Sequence, residues 1–359
     1  MNRNQVFLHI GTHKTGTTTI QNTLFKHSEE LKKEKIIFLG RYKPEITDLS
    51  ESSNYSSVAF NHLKKSILDD INKYNGFKDH KFIISNEKLS GNKAIGYKNT
   101  EFVAKHLRKI LKDQDFDTKV IVYFRRQDDF LESLYSQRIY NGSSQSFEQF
   151  LNSLDKDSFS WELVANSYAK HFGREKIVVK RYHEEFLPYP NSLIREIGTV
   201  LESDFLQSYK TNNTYNNGYT NSALRLIKEV NAHLTQDELR SIKKLLRQGN
   251  NKKVFDNYTL LNFSQRQFIL NQYKESNSTV AKNFLGLESG DLFPDIEKNI
   301  FIEPQEKIDE TDILLNFSLA IHHLYQNAEK LDSRVKLLEK KKTFSEKLIN
   351  KMRKIFRFA

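Results

Sequence analysis

The chain has 359 residues, of which 38% are hydrophobic and 28% charged, and its 26 Phe and 16 Tyr can fill a sizeable core, which excludes global disorder. It contains no Cys, so disulfide frameworks, thiolate catalysis, zinc ribbons and iron–sulfur clusters are ruled out together. The 56 Lys and Arg against 45 Asp and Glu give a net charge of +11, which points to phosphate, sulfate, nucleic acid or an anionic membrane without choosing among them.

No stretch approaches the ~20 apolar residues of a membrane span. The N-terminal run VFLHI (6–10) is too short for a signal peptide. A cytosolic protein, soluble or peripheral to a membrane, is expected. Further apolar runs follow at IIFL (36–39), in KFIIS (81–85), at VIVYF (120–124) and at IVV (177–179). None alternates with polar residues, which suits strands buried on both faces of a parallel sheet. Helical spacing separates them, at Phe60, Leu63, Ile67 and Ile71, and less strictly at Phe102, Leu107 and Ile110. The alternation predicts an α/β fold with a central, mostly parallel sheet. RYKPEITDLSESSNYSS (41–57) and the Asn-dense SYKTNNTYNNGYTN (208–221) read as surface loops. After about residue 215 helix signals dominate.

From Leu314 the apolar residues Phe317, Ile321, Leu324, Ala328, Leu331, Val335 and Leu338 follow at alternating spacings of three and four. That stripe suits a coiled-coil seam, and so a homodimer, or equally a long helix packed on its own domain. Beyond it Phe344, Leu348, Met352, Ile355 and Phe356 share one face. Over 331–359 ten basic residues meet three acidic ones, so this end carries +7 and leaves +4 for residues 1–330. A basic amphipathic helix reads as an element for an anionic membrane surface, against the simpler reading of a solvated tail. The expected division is one catalytic domain over 1–305, a helical extension over 306–342 and a basic tail over 343–359.

In open parallel sheets, ligands bind outside the carboxyl ends of the strands. The residues there are Gly11-Thr12-His13-Lys14-Thr15-Gly16-Thr17-Thr18, then Asn86-Glu87-Lys88, Arg125-Arg126 and Arg181-Tyr182. Together they compose an anion-transfer site. Gly11 and Gly16 let backbone approach an anion, the start of the next helix favours one, and Thr15, Thr17 and Thr18 add hydroxyls. The spacing imitates the nucleotide loop G-x-x-x-x-G-K-[ST], but Thr17 stands where that motif needs Lys. The strand 120–124 ends in Arg125, not in a magnesium-holding Asp. This is a phosphate loop without the metal machinery, and no metal is implied. A P-loop kinase of small molecules therefore fits less well. A nucleic-acid-binding protein also fits less well, because the excess charge sits in the tail rather than in aromatic-interleaved patches.

Lys14-Thr15-Gly16-Thr17-Thr18 closely resembles the 5′-phosphosulfate loop of sulfotransferases that use 3′-phosphoadenosine 5′-phosphosulfate (PAPS), bacterial carbohydrate-type members in particular. Arg125, with Ser133 eight residues on, is similar to that family's 3′-phosphate signature, and 270–286 looks like its C-terminal helix. The resemblance implies a P-loop-like three-layer fold and sulfuryl transfer from PAPS to a hydroxyl or amine of a glycan or glycolipid. It implies that Gly11, Thr12, Lys14, Thr15, Gly16, Thr17, Thr18, Arg125 and Ser133 hold the cofactor. Lys14 would stabilise the leaving phosphate oxygen. Glu87 is the expected base, with His13 as its rival. Asp128 would cap the helix after the fourth strand and stands alone as a carboxylate. Arg126 and Arg138 are candidates for anionic groups of the acceptor. Tyr182 and Asn216–Tyr219 would cover the adenine or the acceptor, although the Arg-Lys-Gly triplet of the animal cytosolic enzymes is missing from this chain.

Overall fold

The computed structural model describes residues 3–52, 55–74, 78–112, 116–155, 157–189, 191–210, 221–235, 237–240, 242–243, 260–297, 314, 317–318, 321 and 324–339. The chain divides into two compact units, one of residues 1–138, 145–216 and 254–304, the other of 139–144, 217–253 and 305–359.

The first unit is built on five strands, β1 (Gln5–His9), β2 (Ile36–Gly40), β3 (Lys81–Ser85), β4 (Asp117–Arg125) and β5 (Ile177–Tyr182). All pair in parallel, in the order β2-β3-β1-β4-β5. The α/β fold with a central parallel sheet is thus as expected, and all five strands fall on the apolar runs. β1 is the middle strand, with His9 level with Ser85 on one side and Ile121 on the other. The chain passes from β1 to one half of the sheet and then to the other, so its direction reverses beside β1, where ligands of such folds bind.

Both faces of the sheet are covered, which is why its strands read as unbroken apolar runs. Phe7, Ile83, Ile121 and Tyr123 share a core with Ile20 and Leu24 of α1 (Thr17–Lys26), with Leu31 of α2 (Ser28–Lys33), and with Leu193, Ile194, Ile197 and Leu201 of α9 (Ser192–Leu201). The alternate residues Val6, Leu8, Phe82, Ile84, Val120, Val122 and Phe124 are also fully buried. Trp161, the first residue of α8 (Trp161–Phe172), stacks on Phe124 at 5.1 Å. Its indole N–H donates to the Arg125 carbonyl at 2.8 Å, which holds the end of β4 in place.

Two expectations change. The segment 41–57 is not all loop, because it contains α3 (Lys43–Glu51), with Pro in its first turn and Ile46 and Leu49 buried three residues apart. In α5 (Thr100–Leu111) the inward face is Val103, Ala104, Leu107, Ile110 and Leu111, while Phe102 lies 40% exposed. One residue is 100° on a helix, so Val103 rather than Phe102 shares a side with Leu107 and Ile110.

Helix α4 (Ser57–Asn72) buries Leu63, Ile67 and Ile71 as the spacing predicts. Short helices α7 (Phe147–Asn152) and α10 (Asp204–Gln207) complete the connections. The segment 270–286 lies mostly in α12 (Phe263–Leu285), which is tied to α6 (Gln127–Tyr140) by polar contacts. Gln127 and Asn277 exchange amide hydrogen bonds at 2.8 and 2.9 Å. Arg266, 4% exposed, donates to Asp128, to Asp129 at 2.8 Å and to Glu132 at 2.6 Å. Arg126 grips Asp128 through two nitrogens at 2.8 and 3.1 Å. Asp128 therefore does not stand alone, and Arg126 is committed to a buried ion network rather than to an acceptor.

In the second unit α11 (Asn221–Val230) is followed by Asn231, whose amide donates to the Ile139 and Ser143 carbonyls at 2.8 Å each. Residues 324–339 are helical. Among the described residues no helix is long and apolar enough to cross a membrane. Seventeen of the 37 residues of 306–342 and all of the basic tail 343–359 lie outside the described residues.

Removing one partner of a buried ion pair leaves an uncompensated charge and costs about 3–5 kcal/mol. Arg266→Met is therefore expected to lower the melting temperature by at least several degrees. Burial raises the Asp129 carboxyl, but the guanidiniums of Arg126 and Arg266 outweigh it and hold it at about 2. A depressed carboxyl contributes stability above its unfolded value near ~3.9, and that stability is lost as pH falls towards ~2. Acid unfolding of Arg266→Met should begin at higher pH than in the wild type. An unchanged melting curve and acid midpoint would show that the network is not stabilising.

Candidate functional site

β1 runs through Ile10, whose N–H still bonds Ile121, into a loop that ends at α1. Gly11, Lys14 and Gly16 all have positive φ, of 50°, 65° and 76°. Two of these are glycines, which positive φ and crowding both favour. A Cβ on Gly11 would lie 2.6 Å from Thr17 Oγ1, and one on Gly16 2.4 Å from Leu193 and 3.3 Å from the Tyr182 ring. The turn is thus pressed against α9 and the end of β5. Gly16 is also the N-cap of α1, so no side chain caps the free N–H groups of that helix.

Internal hydrogen bonds hold the rest of the loop. Thr12 Oγ1 donates to the Tyr123 carbonyl at 2.9 Å. Thr15 Oγ1 donates to the Thr12 carbonyl at 2.7 Å and accepts from the Thr12 N–H at 3.3 Å. The Ser90 hydroxyl donates to the Ile10 carbonyl at 3.0 Å and contacts that of Gly11. The hydroxyls of Thr12 and Thr15 are therefore spent on shaping the loop. Thr17 Oγ1 differs, being buried with no hydrogen-bond partner, and Thr18 is exposed. An orphaned buried hydroxyl is costly unless a ligand completes it.

Arg125 ends β4 beside this loop. It donates to the Lys14 carbonyl at 3.3 Å, and its guanidinium lies 5.7 Å from the centre of the Tyr182 ring. Tyr182 is buried, so it packs the turn from beneath. Ser133 is the seventh residue of α6, about 9 Å along the helix from its start at ~1.5 Å per residue, and is half-buried.

On the other side of β1, Asn86 N–H bonds the His9 carbonyl at 3.1 Å and fixes the turn Glu87–Ser90. Glu87 is half-buried and accepts from Gln21 of α1 at 3.5 Å. Gln21 also donates to the Ser85 carbonyl at 3.0 Å, which ties Glu87 to the first helix of the loop. His13 lies between. Its main-chain N–H donates to the Tyr97 hydroxyl at 3.1 Å, and its Nδ1 is 2.7 Å from the same oxygen. Burial, then the positive charges of Lys93, Lys88 and Lys14, push its pKa down to about 3. His9 packs inside the strand, with Nδ1 at 2.7 Å from Ser85 Oγ, and burial lowers it to about 4.

Two contributors, Lys93 and Tyr97, were not singled out in the sequence. Lys93 is driven down by burial and then by Lys88, and reaches Gln137 of α6 at 3.4 Å. Lys88 pairs with Glu51 at 2.8 Å. Tyr97, fully buried with φ 67°, closes over His13. Lys93 and Tyr97 sit in GNKAIGYKN (91–99), and its two glycines so soon after an apolar strand are the available signal. Arg138 stacks at 4.9 Å over Phe150 and reaches Gln145 at 3.5 Å. Asn216–Tyr219 lies outside the described residues. Among the described residues no cluster of three or more His, Asp or Glu could hold a metal.

No family model matches the chain. An uncharacterised protein of Archaeoglobus fulgidus is 24% identical over 260 residues, spanning 69% of this chain and 68% of its own length. Among solved structures, a sulfotransferase from Alicyclobacillus acidocaldarius aligns with 67% of this chain and 100% of its own, at 15% identity and a TM-score of 0.36.

Proposed function

We propose that the chain transfers a sulfuryl group from PAPS to a hydroxyl or amine of a glycan or glycolipid, within a domain spanning residues 1–305. The observation that carries this is the loop 11–18. Its two glycines have positive φ and a Cβ on either would crowd Thr17 or Leu193, its helix start is uncapped, and a buried Thr17 hydroxyl lacks a partner. Arg125 bonds the same loop. These residues fit the 5′-phosphosulfate end of PAPS, while Arg125 and Ser133 hold the 3′-phosphate, for which a guanidinium is suited by its paired donors.

The cofactor, when bound, supplies an activated sulfuryl group. Lys14 places an ammonium where charge grows on the departing phosphate oxygen, and so stabilises the transition state more than the ground state. Glu87 takes the acceptor's proton as its oxygen or nitrogen bonds to sulfur. His13 is not suited to that task, because its Nδ1 is taken by Tyr97 and burial keeps it from holding a proton. Arg138, with Lys93, remains for anionic groups of the acceptor. A kinase reading would need a lysine at Thr17 and a carboxylate at Arg125. The basic tail, in this view, brings the enzyme to an anionic membrane where glycolipid acceptors reside.

The desulfonated product PAP should raise the melting temperature without added metal, and ATP with magnesium should not. Losing one charged phosphate contact costs about 1.5–3 kcal/mol, so Arg125→Ala should weaken PAP by roughly ten- to a hundredfold in calorimetry. Equal affinity would place the 3′-phosphate elsewhere.

Lys14→Ala should lower kcat far more than PAP affinity. Glu87→Gln should lower turnover by roughly 10²–10⁴-fold with PAP binding intact. The pH profile of His13→Gln should match that of the wild type near neutrality, since the buried ring does not titrate there. A lost inflection in that variant, or full activity in Glu87→Gln, would move the base to His13 or beyond.

Truncation after Asn327 should abolish co-sedimentation with anionic liposomes at low salt. The basic residues contribute about 1 kcal/mol each near such a surface, and salt screens them. Equal sedimentation of both forms would remove the membrane role.

A further inference from the structure

The described residues of the apolar stripe that begins at Leu314 are exposed. Ile321, Leu324, Leu331, Val335 and Leu338 are 50–64% exposed, and Leu314 and Phe317 are exposed as well. A helix that keeps a seven-residue apolar repeat facing water is one half of a coiled coil.

The kinds of residue in the stripe specify its partner. With Leu314 at heptad position a, the a positions include the β-branched Ile321 and Val335. The d positions include Leu324, Leu331 and Leu338. β-Branched residues at a with Leu at d favour two parallel strands. The flanking charges agree. Arg334 falls at g, and Glu339, five residues on, falls at e. In a parallel pair of identical helices g of one chain meets the following e of the other, so Arg334 meets the partner's Glu339 twice by symmetry. An antiparallel pair sets e against e, and both charged e positions, Asp332 and Glu339, are acidic. One sequence thus supplies both halves of the charge match.

We propose that the helix described over 324–339, which carries the stripe, forms a parallel, in-register, two-stranded coiled coil with a second copy of this chain. The inference rests on the helix alone and is independent of the sulfotransferase reading.

The absence of Cys allows a clean test on the full-length protein. Light scattering after gel filtration should give twice the monomer mass, and Leu324→Asp with Leu331→Asp should halve it. Ala328→Cys, at a central a position, should cross-link through its own disulfide under mild oxidation. Identical a positions lie within disulfide reach only when the helices run parallel and in register. Arg334→Glu should weaken the dimer at least severalfold in sedimentation equilibrium, and adding Glu339→Arg should restore it. The proposal is overturned by a monomeric wild type, by a trimer or tetramer, or by a dimer that survives the double substitution. A dimer that gives no Ala328→Cys cross-link also overturns it.

Discussion

The candidate site depends on the position of β1 between two parallel neighbours. A strand paired on both sides has its backbone groups satisfied along its length, so it ends abruptly and at a fixed level. His9 stands level with Ser85 and Ile121. The chain leaving β1 therefore enters the loop 11–18 with the ends of β3 and β4 on either hand. Glu87 arrives from one side and Arg125 from the other because of strand order, not because of any attraction between them. The Ser90 and Thr12 hydrogen bonds then fasten the loop to both neighbours. A one-residue slip of β1 would turn Phe7 out of its core and undo all of these contacts at once.

Charge is handled in two ways around this edge. Behind Arg125, three carboxylates and two guanidiniums are buried together and satisfy one another, so Arg126 and Arg266 fix α6 against α12 rather than meeting ligands. In front, Lys14, Lys88 and Lys93 raise the potential enough to help keep His13 neutral. Glu51 and Glu87 oppose them at Lys93, with Glu51 committed to Lys88 at 2.8 Å. Two neighbouring arginines, 125 and 126, thus have opposite fates. Arg125 bonds the loop, whereas Arg126 points to the acids one turn into α6.

The strands were legible because burial on both faces leaves a run of β-branched and aromatic residues with no other explanation. The loop was legible because positive φ and close approach demand glycine, and Gly11 and Gly16 meet both demands. The ion network was not. Arg266 lies 138 residues from Asp128, and nothing local in FSQRQFIL marks its arginine as buried. The partner of His13 was hidden in the same way, since Tyr97 reaches it across 84 residues of chain. Helix α3 was masked by polar composition, although Pro44 and the pair Ile46 and Leu49 carry its start and its buried side. Local stereochemistry can be read in order along the chain, whereas pairings between distant polar side chains depend on the completed fold.

Parallel pairing of the C-terminal helices bears on the charge that follows them. Helices in parallel register deliver both chains at the same end, so two copies of the basic segment would leave side by side. Each chain carries a net +7 over 331–359. Two such segments on one particle convert the second attachment to an anionic surface into an intramolecular event, and avidity can exceed single affinity by about 10²–10⁴. An antiparallel pair would separate the segments by the length of the coil and lose much of that gain. If the helices pair and the tail meets a membrane as proposed, the heptad charges would therefore also set how firmly the pair engages that surface, with less attraction from the +4 of residues 1–330.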